Sequence, residues 1–338
     1  MLASGRTTVG TVDDLAHSAQ LIGERLFGRK AATVVRRDPV TIELDFGDEP
    51  IVARRCRSPE AAAVEAEVAT VLGSNGAPVP KLLACEGPWL FERAEPGASL
   101  VERLADAVEA EGERWLYLAL QALTRIHSVA AATGLAERAF PIGASAGWLD
   151  DMVAAPERLG AFLAIPCPPF DRAGARAALD VKGPSFIKWD AEPATALARP
   201  DWSVVWRGFA HCGRRNRIDD VVTLLADERV PDWPTAERRL IERQTKFFDE
   251  RHYPEGAEAY LRLAGVLRAT VRLSGLIKEM LKQGEWNYLA GHGFQGRPPP
   301  AFAHLCRRAA RWAEAAPLTR PLGPWWREVG YALVGERV

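Results

Sequence analysis

The stretch from residue 186 to residue 220 constrains this chain most, because it sets an acidic turn between short apolar strands. Residues 186–187 predict the start of a buried strand, a polar turn ends at Asp190, and residues 204–206 predict a second strand. An arginine-rich loop follows, and the acids at 219–220 lead into a helical pattern. Any fold for this chain must therefore hold a polar turn that ends at Asp190 beside two strands and a helix.

The first hundred residues predict an antiparallel sheet with two helices. The predicted helices are 12–27, capped by Thr11, and one opened by Ser58-Pro59-Glu60 that ends near Gly73 and buries Val64, Val68, Val71 and Leu72. The predicted strands are 33–37, 40–46, 50–56, 78–83 and 88–92, with a turn at Gly47-Asp48. Successive short strands joined by tight turns favour an antiparallel meander over a βαβ unit.

From Leu100 onward, helical periodicity dominates. The predicted helices are 113–130, from Thr235 to about Arg251, from about Glu255 to Lys282, 301–314 and a short terminal one from Pro324 to Leu333. The long helix ending at Lys282 is expected to bury Val271, and a loop is expected at residues 295–300. Residues 133–183, rich in Ala, Pro and Gly, are expected to form loops and short helices.

Composition narrows the classes of partner. The chain of 338 residues is 48% apolar and has 43 Lys and Arg against 44 Asp and Glu, a balance that disfavours a nucleic-acid partner. No run reaches the roughly 18 apolar residues of a membrane span. The five cysteines are odd in number and lack a C-x-x-C pair, which argues against a disulfide framework or a zinc cluster. We therefore expect a cytoplasmic protein without a membrane partner.

Five segments, taken in order, resemble the aminoglycoside phosphotransferase and choline kinase-like family, the small-molecule branch of the protein-kinase fold. They are VARR (52–55), EAEVATVLGSNGAPVPKLL (65–83), FERAEPGASL (91–100), ALTRIHS (122–128) and IDDVVTLLADE (218–228). The resemblance implies a two-lobed α+β protein. Residues 1–95 would form an antiparallel-sheet N-terminal lobe, and residues 96–338 a mainly helical C-terminal lobe that carries the catalytic loop.

The resemblance also implies where a nucleotide would bind. In that family, a strand lysine holds the nucleotide phosphates and pairs with a glutamate on the next helix. The matching positions are Arg54 or Arg55 and Glu65. Arginine keeps the charge but presents a planar fork in place of a compact ammonium. Two interpretations stay open: phosphate binding, or an exposed edge-strand arginine in a loose ion pair.

The catalytic loop departs from the family pattern of His-Gly-Asp followed, five residues after the aspartate, by asparagine. This chain has Lys188-Trp189-Asp190 and Thr195 at those places. Asp190 remains where a base would accept a proton, and Lys188 stands beside it. The metal-binding asparagine is a threonine, and the second metal-binding acid should fall at Arg207 or Gly208. Because no residue from 202 to 218 is acidic, we assign no metal ligands.

Other residues near the loop suggest what the ligand is. Trp189 replaces the family's glycine, so its indole would narrow the pocket or stack on a flat ligand. Lys188, Arg207, Arg214, Arg215 and Arg217 form a basic cluster that would bind a phosphate or carboxylate. The alternative is that the arginines pair with Asp219, Asp220 and Glu228. We expect His211 to be a donor that faces the ligand.

These features leave two functional hypotheses. The first is a kinase-fold protein that binds an anionic or aromatic metabolite in the cleft between the lobes. It would act as a pseudokinase-like binder or as a metal-independent enzyme with Asp190 as acid or base and the basic cluster stabilising negative charge. The second is a phosphotransferase that uses ATP and Mg²⁺ as cofactors and phosphorylates a small hydroxylated molecule.

Overall fold

The computed structural model describes residues 12–47, 49–180, 185–246, 248, 253, 255–284, 287–289, 293–295 and 300–335. Thr11, Asp48, the predicted end of a helix at Arg251 and residues 296–299 of the predicted loop lie outside these residues. The chain divides into two compact units. One comprises the described residues up to Gly97 together with Val205–Ala210, and the other comprises Ala98–Val204 and the described residues from His211 onward.

The first unit is a five-stranded antiparallel sheet with two helices. Its elements are α1 (Val12–Phe27), β1 (Thr33–Asp38), β2 (Thr41–Asp45), β3 (Pro50–Arg55), α2 (Pro59–Ser74), β4 (Leu82–Glu86) and β5 (Trp89–Arg93). The strand order is β1-β2-β3-β5-β4, and every pair is antiparallel. The predicted antiparallel N-terminal region is confirmed.

Alternation along the strands builds the core of this unit. Ile42 and Leu44 of β2 are fully buried and pack in one cluster with Ala19 of α1 and Phe91 of β5. Gly23 lets α1 approach the sheet, because a Cβ there would lie 2.7 Å from Cδ1 of Leu44. The core therefore rests on period-two burial in the strands and on a small residue in the helix.

The second unit is mainly helical, as predicted. Its elements are β6 (Ala98–Ser99), α3 (Leu100–Ala105), α4 (Glu109–Ala132), α5 (Leu135–Arg138), α6 (Trp148–Val153), α7 (Ala155–Leu163), α8 (Arg172–Leu179), β7 (Ser185–Ile187), β8 (Ala196–Ala198), β9 (Val204–Trp206, which leads into the segment of the first unit), β10 (Gly213–Arg215), α9 (Ile218–Leu225), α10 (Pro234–Thr245), α11 (Ala257–Gln283), β11 (Asn287–Leu289), β12 (Gly293–Gln295), α12 (Pro300–Ala315) and α13 (Leu322–Val334). Short 3₁₀ turns lie at Pro193–Thr195 and Pro317–Thr319. β6 pairs with β8 and β7 with β10, both antiparallel.

Two predicted core positions are wrong. Val64 of α2 is 44% exposed and Val271 of α11 is 48% exposed. In α2 the inward face is taken by Glu65, which is buried with a charged partner, and in α11 the inward face passes through Leu273 and Ile277. Hydrophobic periodicity does not anticipate a buried ion pair, and this accounts for the error at Val64.

No helix within the described residues is both long enough and apolar enough to span a bilayer.

Candidate functional site

Arg54 of β3 and Glu65 of α2 form a buried, two-pronged ion pair in the first unit. Ser58 caps α2 by accepting a hydrogen bond from the Ala61 N–H, and this fixes the helix so that Glu65 faces the sheet. Nη2 and Nη1 of Arg54 lie 2.5 and 3.1 Å from the two carboxylate oxygens of Glu65. Arg55, the other sequence candidate, is exposed. The structure therefore joins Arg54, not Arg55, to Glu65.

Further contacts surround this pair. The Phe209 N–H donates to Oε1 of Glu65 at 2.6 Å, and Nη2 of Arg54 lies 3.6 Å from Oε1 of Glu92. Burial raises the pKa of Glu92, against the opposing effect of Arg54. Arg207 is half-buried and also acts on Glu92 electrostatically. Because Arg54 serves two buried carboxylates, both of its terminal nitrogens are already engaged by protein groups.

In the second unit, Asp220 of α9 organises the backbone of the loop at residues 188–195. Its Oδ2 accepts the Lys188 N–H at 2.8 Å, and its Oδ1 accepts the Trp189 N–H at 2.7 Å. Nε2 of His127, on α4, lies 2.7 Å from Oδ2. Asp220 and His127 are both buried, so the loop is held by a shielded network of hydrogen bonds.

Lys188 turns its side chain back onto Asp190. Its Nζ lies 2.6 Å from Oδ1 of Asp190 and 3.0 Å from the carbonyl oxygen of the same residue. The side chain of Lys188 is fully buried, whereas that of Asp190 is 24% exposed. The ammonium therefore closes the turn and neutralises the acid that precedes the 3₁₀ turn.

Trp189 has the left-handed backbone conformation, with φ of 69°. That region suits the glycine of the family pattern and is strained for a residue with a Cβ. The indole lies 5.9 Å from the ring of Trp148, and the guanidinium of Arg268 lies over it at 5.3 Å. The side chain of this strained residue is thus held by an aromatic ring and a cation.

Thr195 contributes its hydroxyl to the loop itself. Oγ1 lies 2.9 Å from the carbonyl oxygen of Glu192 and 3.0 Å from that of Asp190, and its one proton can go only to these backbone acceptors. Thr195, at the position of the family's metal-binding asparagine, therefore uses its hydroxyl to close the turn.

The predicted basic cluster is distributed among several partners. Nε of Arg215 lies 2.7 Å from Oδ2 of Asp219, although the angle does not make this ion pair a hydrogen bond. Arg217 lies over the ring of Phe248, Arg214 is half-buried in β10, and His211 is exposed. Arg215 therefore pairs with Asp219 at the start of α9, as the alternative interpretation of the basic cluster expected.

Comparison with known proteins identifies the fold. No protein-family model and no curated protein matches the sequence. Among solved structures, the aminoglycoside phosphotransferase of Alicyclobacillus acidocaldarius shares 10% identity over 97% of this chain and 98% of that one, with a TM-score of 0.50. ADP-bound aminoglycoside phosphotransferase APH(2'')-Ib shares 12% over 78% and 94%, with a TM-score of 0.51. Spectinomycin phosphotransferase APH(9)-Ia, with ADP and spectinomycin, shares 8% over 76% and 86%, also at 0.51.

The chain has the aminoglycoside phosphotransferase-like kinase fold. At these identities the likeness shows the fold alone, so the activity has to be argued from the residues.

Sequence reasoning missed three arginines near this loop, which are Arg229, Arg268 and Arg272. Arg229 lies 2.7 Å from Glu192 and 2.6 Å from Asp227, and Arg272 of α11 binds Glu228 in a two-pronged pair. Arg268 lies one turn before Arg272. Arg268 and Arg272 are four residues apart, which places both on one face of α11. This spacing is the sequence feature that could have indicated them.

The residues at the loop do not fit the magnesium site of a kinase. The Thr195 hydroxyl closes a turn, Oδ1 of Asp190 is paired with Lys188, and the sequence has no acid from 202 to 218. Within the described parts of the chain, no three His, Cys, Asp or Glu side chains are placed to hold a metal ion. Magnesium at phosphoryl-transfer sites is usually held by one or two carboxylate or similar side-chain oxygens, with phosphate oxygens and waters completing its shell. With Oδ1 of Asp190 paired to Lys188 and no acid from 202 to 218, the loop does not supply that set.

Proposed function

We propose that this chain is a pseudokinase-like binding protein, in which a kinase-fold catalytic loop binds a small molecule without magnesium-dependent phosphoryl transfer. The observation that carries the proposal is the 2.6 Å ion pair between the buried Nζ of Lys188 and Oδ1 of Asp190. The sequence resemblance implies that Asp190 stands where a base would act, and Lys188 pairs with one oxygen of that carboxylate.

The ion pair bears on catalysis directly. A general base must direct a carboxylate oxygen at the substrate hydroxyl and accept its proton. Oδ1 of Asp190 can do so only by giving up the ammonium of Lys188, whose side chain is fully buried and would lose its charge partner. Phosphoryl transfer is therefore left with one oxygen of Asp190, Oδ2, as its base, and the metal-binding residues of the family pattern are missing as well.

The first unit supports the same proposal. In a kinase the strand cation is held by a glutamate while it also contacts the nucleotide phosphates. Here the guanidinium of Arg54 has its terminal nitrogens engaged by Glu65 and lies beside Glu92 as well. Phosphate oxygens would have to compete with buried carboxylates for the same donors.

A metal-independent enzyme is the second candidate, favoured by one observation. Oδ2 of Asp190 takes part in no hydrogen bond or ion pair within the described residues, and the side chain is 24% exposed. That oxygen is available to act as acid or base on a bound ligand. The other hypothesis from the sequence, an ATP- and Mg²⁺-dependent phosphotransferase, is supported by the fold resemblance alone.

Thermal unfolding with ATP, with Mg²⁺ and with both tests the proposal, since a ligand that binds the native state raises the midpoint. We expect no midpoint shift that requires both, and no ADP release above that of the Asp190→Asn variant. A midpoint that rises only when both are present, with ADP release that Asp190→Asn abolishes, would support the phosphotransferase instead. Turnover of a ligand in a chelator, lost in Asp190→Asn, would support the metal-independent enzyme.

A further inference from the structure

Gly275 lies in the interior of the helix α11, where glycine is less favourable than alanine. Neither its backbone nor its packing requires a glycine, because its φ lies outside the left-handed region and a Cβ there would meet nothing within 4 Å. Gly265 on the same helix differs, since a Cβ there would overlap the indole of Trp312. What Gly275 contributes instead is open space on the surface of α11.

That space belongs to a groove between α7 and α11, both of which lie in the second unit. The groove has a volume of about 480 Å³, which is within the range of pockets that bind small molecules. Its apolar side chains are those of Ala155, Leu159, Phe162, Val271 and Ile277. Phe162 and Val271 are both exposed, so the groove presents apolar surface to the solvent.

Two cations line the groove, and no acid lines it among the described residues. Lys278 is exposed and takes part in no hydrogen bond or ion pair within the part of the chain that the structure describes. Arg158 is engaged by Asp151, because its Nη2 donates to the carbonyl oxygen at 2.6 Å and its Nη1 lies 3.5 Å from Oδ1. The charge of Lys278 is therefore the one in excess, and it suits a ligand with a single negative charge.

The size of the groove favours a small molecule over a protein partner. Along α11 the groove extends from Val271 to Lys278, a rise of about 10 Å. Nine of the described residues line it, whereas a stable protein interface uses about 20–30 residues on each side. A compact ligand with an apolar body therefore matches the groove better than a protein surface does.

We propose that the groove between α7 and α11 binds a small amphipathic anion, with its head group at Lys278 and its apolar body over Gly275. Gly275 and Lys278 are three residues apart, so they share one face of the helix. The apolar walls select against a small inorganic anion, and the cations select against an amine. The inference goes beyond the proposed function, because none of residues 188–195 lines this groove.

Octanoate is the probe, with acetate as the head group alone and octylammonium as the same chain with the opposite charge. Each is titrated into the intact protein and followed by calorimetry. We expect saturable binding of octanoate, and binding of the other two that is weaker by roughly tenfold or more. Gly275→Leu, which fills the groove from a position with room for a side chain, should lower octanoate affinity by roughly tenfold or more, whereas Gly275→Ala adds one methyl group and should keep most of it.

Lys278→Gln should lower octanoate affinity by about two- to fivefold, as expected for an exposed charge pair. Lys282→Gln is the matched control, because Lys282 lies one turn further along α11 and does not line the groove. It should bind octanoate as the parent protein does. Gly275→Leu should unfold at or above the midpoint of the parent, since leucine is the better helix former, so a loss of binding there is a loss of the groove.

Three results would overturn the proposal. They are the absence of octanoate binding to the parent protein, binding of acetate or octylammonium as tight as that of octanoate, and unchanged octanoate affinity in folded Gly275→Leu. If Gly275→Leu does not fold, equal octanoate affinities of Lys278→Gln and Lys282→Gln would overturn it as well.

Discussion

At the scale of single residues, the loop keeps a tryptophan where its backbone favours glycine. Trp189 has φ of 69°, in the region that a Cβ makes costly. Trp189→Gly and Trp189→Ala both remove the indole, but only glycine relieves the backbone. We therefore expect Trp189→Gly to be more stable than Trp189→Ala by about 1 kcal/mol in urea unfolding.

The neighbouring Trp148 supplies the control for that comparison, because it lies in the first turn of the helix α6. Glycine is the poorer residue in a helix, so Trp148→Gly should be less stable than Trp148→Ala. If both positions rank glycine and alanine in the same order, the strain assigned to Trp189 is absent.

The ion pair between Lys188 and Asp190 should behave as one unit. Removing either partner leaves the other charge without its partner in a largely buried place, whereas removing both does not. A double-mutant cycle of Lys188→Met and Asp190→Asn should give a coupling of about 1–3 kcal/mol in urea unfolding. The exposed pair of Arg172 and Glu157 should give less than about 1 kcal/mol. Equal couplings would contradict the structural role of Lys188.

The sequence predicted the roles of some of these residues and not of others, for physical reasons. The glycine position of Trp189 and the pairing position of Glu65 were accessible because local spacing and the family pattern carry them. The turn of the Lys188 side chain onto Asp190 was not, since a rotamer leaves no trace in residue order. Arg268 was missed because it lies far along the chain from the loop, and only the fold brings α11 to Trp189.

At the scale of elements, α11 contains two glycines with opposite expected responses to alanine. A Cβ on the buried Gly265 would overlap the indole of Trp312 on α12, while one on the exposed Gly275 meets nothing within 4 Å. We expect Gly265→Ala to lower the free energy of unfolding by about 1–3 kcal/mol. Gly275→Ala should raise it by up to about 1 kcal/mol through helix propensity. Urea unfolding checks both, and a stabilising Gly265→Ala would mean that α12 packs elsewhere.

The strand β5 carries Glu92, an acid whose deprotonation should destabilise the folded state. Burial raises the pKa of Glu92, so the folded state binds a proton that the unfolded state releases as pH rises above about 4. The contribution of Glu92 to stability is therefore lost with rising pH. The free energy of unfolding of Glu92→Gln, relative to the parent, should increase between about pH 4 and pH 7.

Asp201 provides the opposite sign. Hydrogen bonds from Ser203 lower the pKa of Asp201, so its contribution is present at higher pH and is lost as pH falls below about 4. Asp201→Asn should lose stability relative to the parent as pH rises through that lower range. If the unfolding free energies of Glu92→Gln and Asp201→Asn, each relative to the parent, change with pH in the same direction, burial of Glu92 does not explain the pH dependence.

At the scale of the whole molecule, the first unit is built from two separate parts of the chain. Val205–Ala210 belongs to it, although the residues on either side belong to the second unit. Periodicity places strands and helices by local pattern, so it identified the sheet but not this return of the chain. The predicted lobe boundary at residue 95 stays a prediction, because the segment at 205–210 makes the first unit discontinuous.

This discontinuity predicts that residues 1–97 alone do not reproduce the unit. The fragment lacks the Phe209 N–H that binds Glu65 at 2.6 Å and the Trp206 N–H that binds the carbonyl of Pro78 at 2.9 Å. It also lacks the side chains of Trp206 and Phe209, both of which are buried in the intact chain. A buried carboxylate without its donor and an apolar surface without its cover both favour the unfolded state. We expect the fragment to unfold without a cooperative thermal transition by circular dichroism. A cooperative transition at the midpoint of the intact protein would show instead that Val205–Ala210 contributes little to the unit.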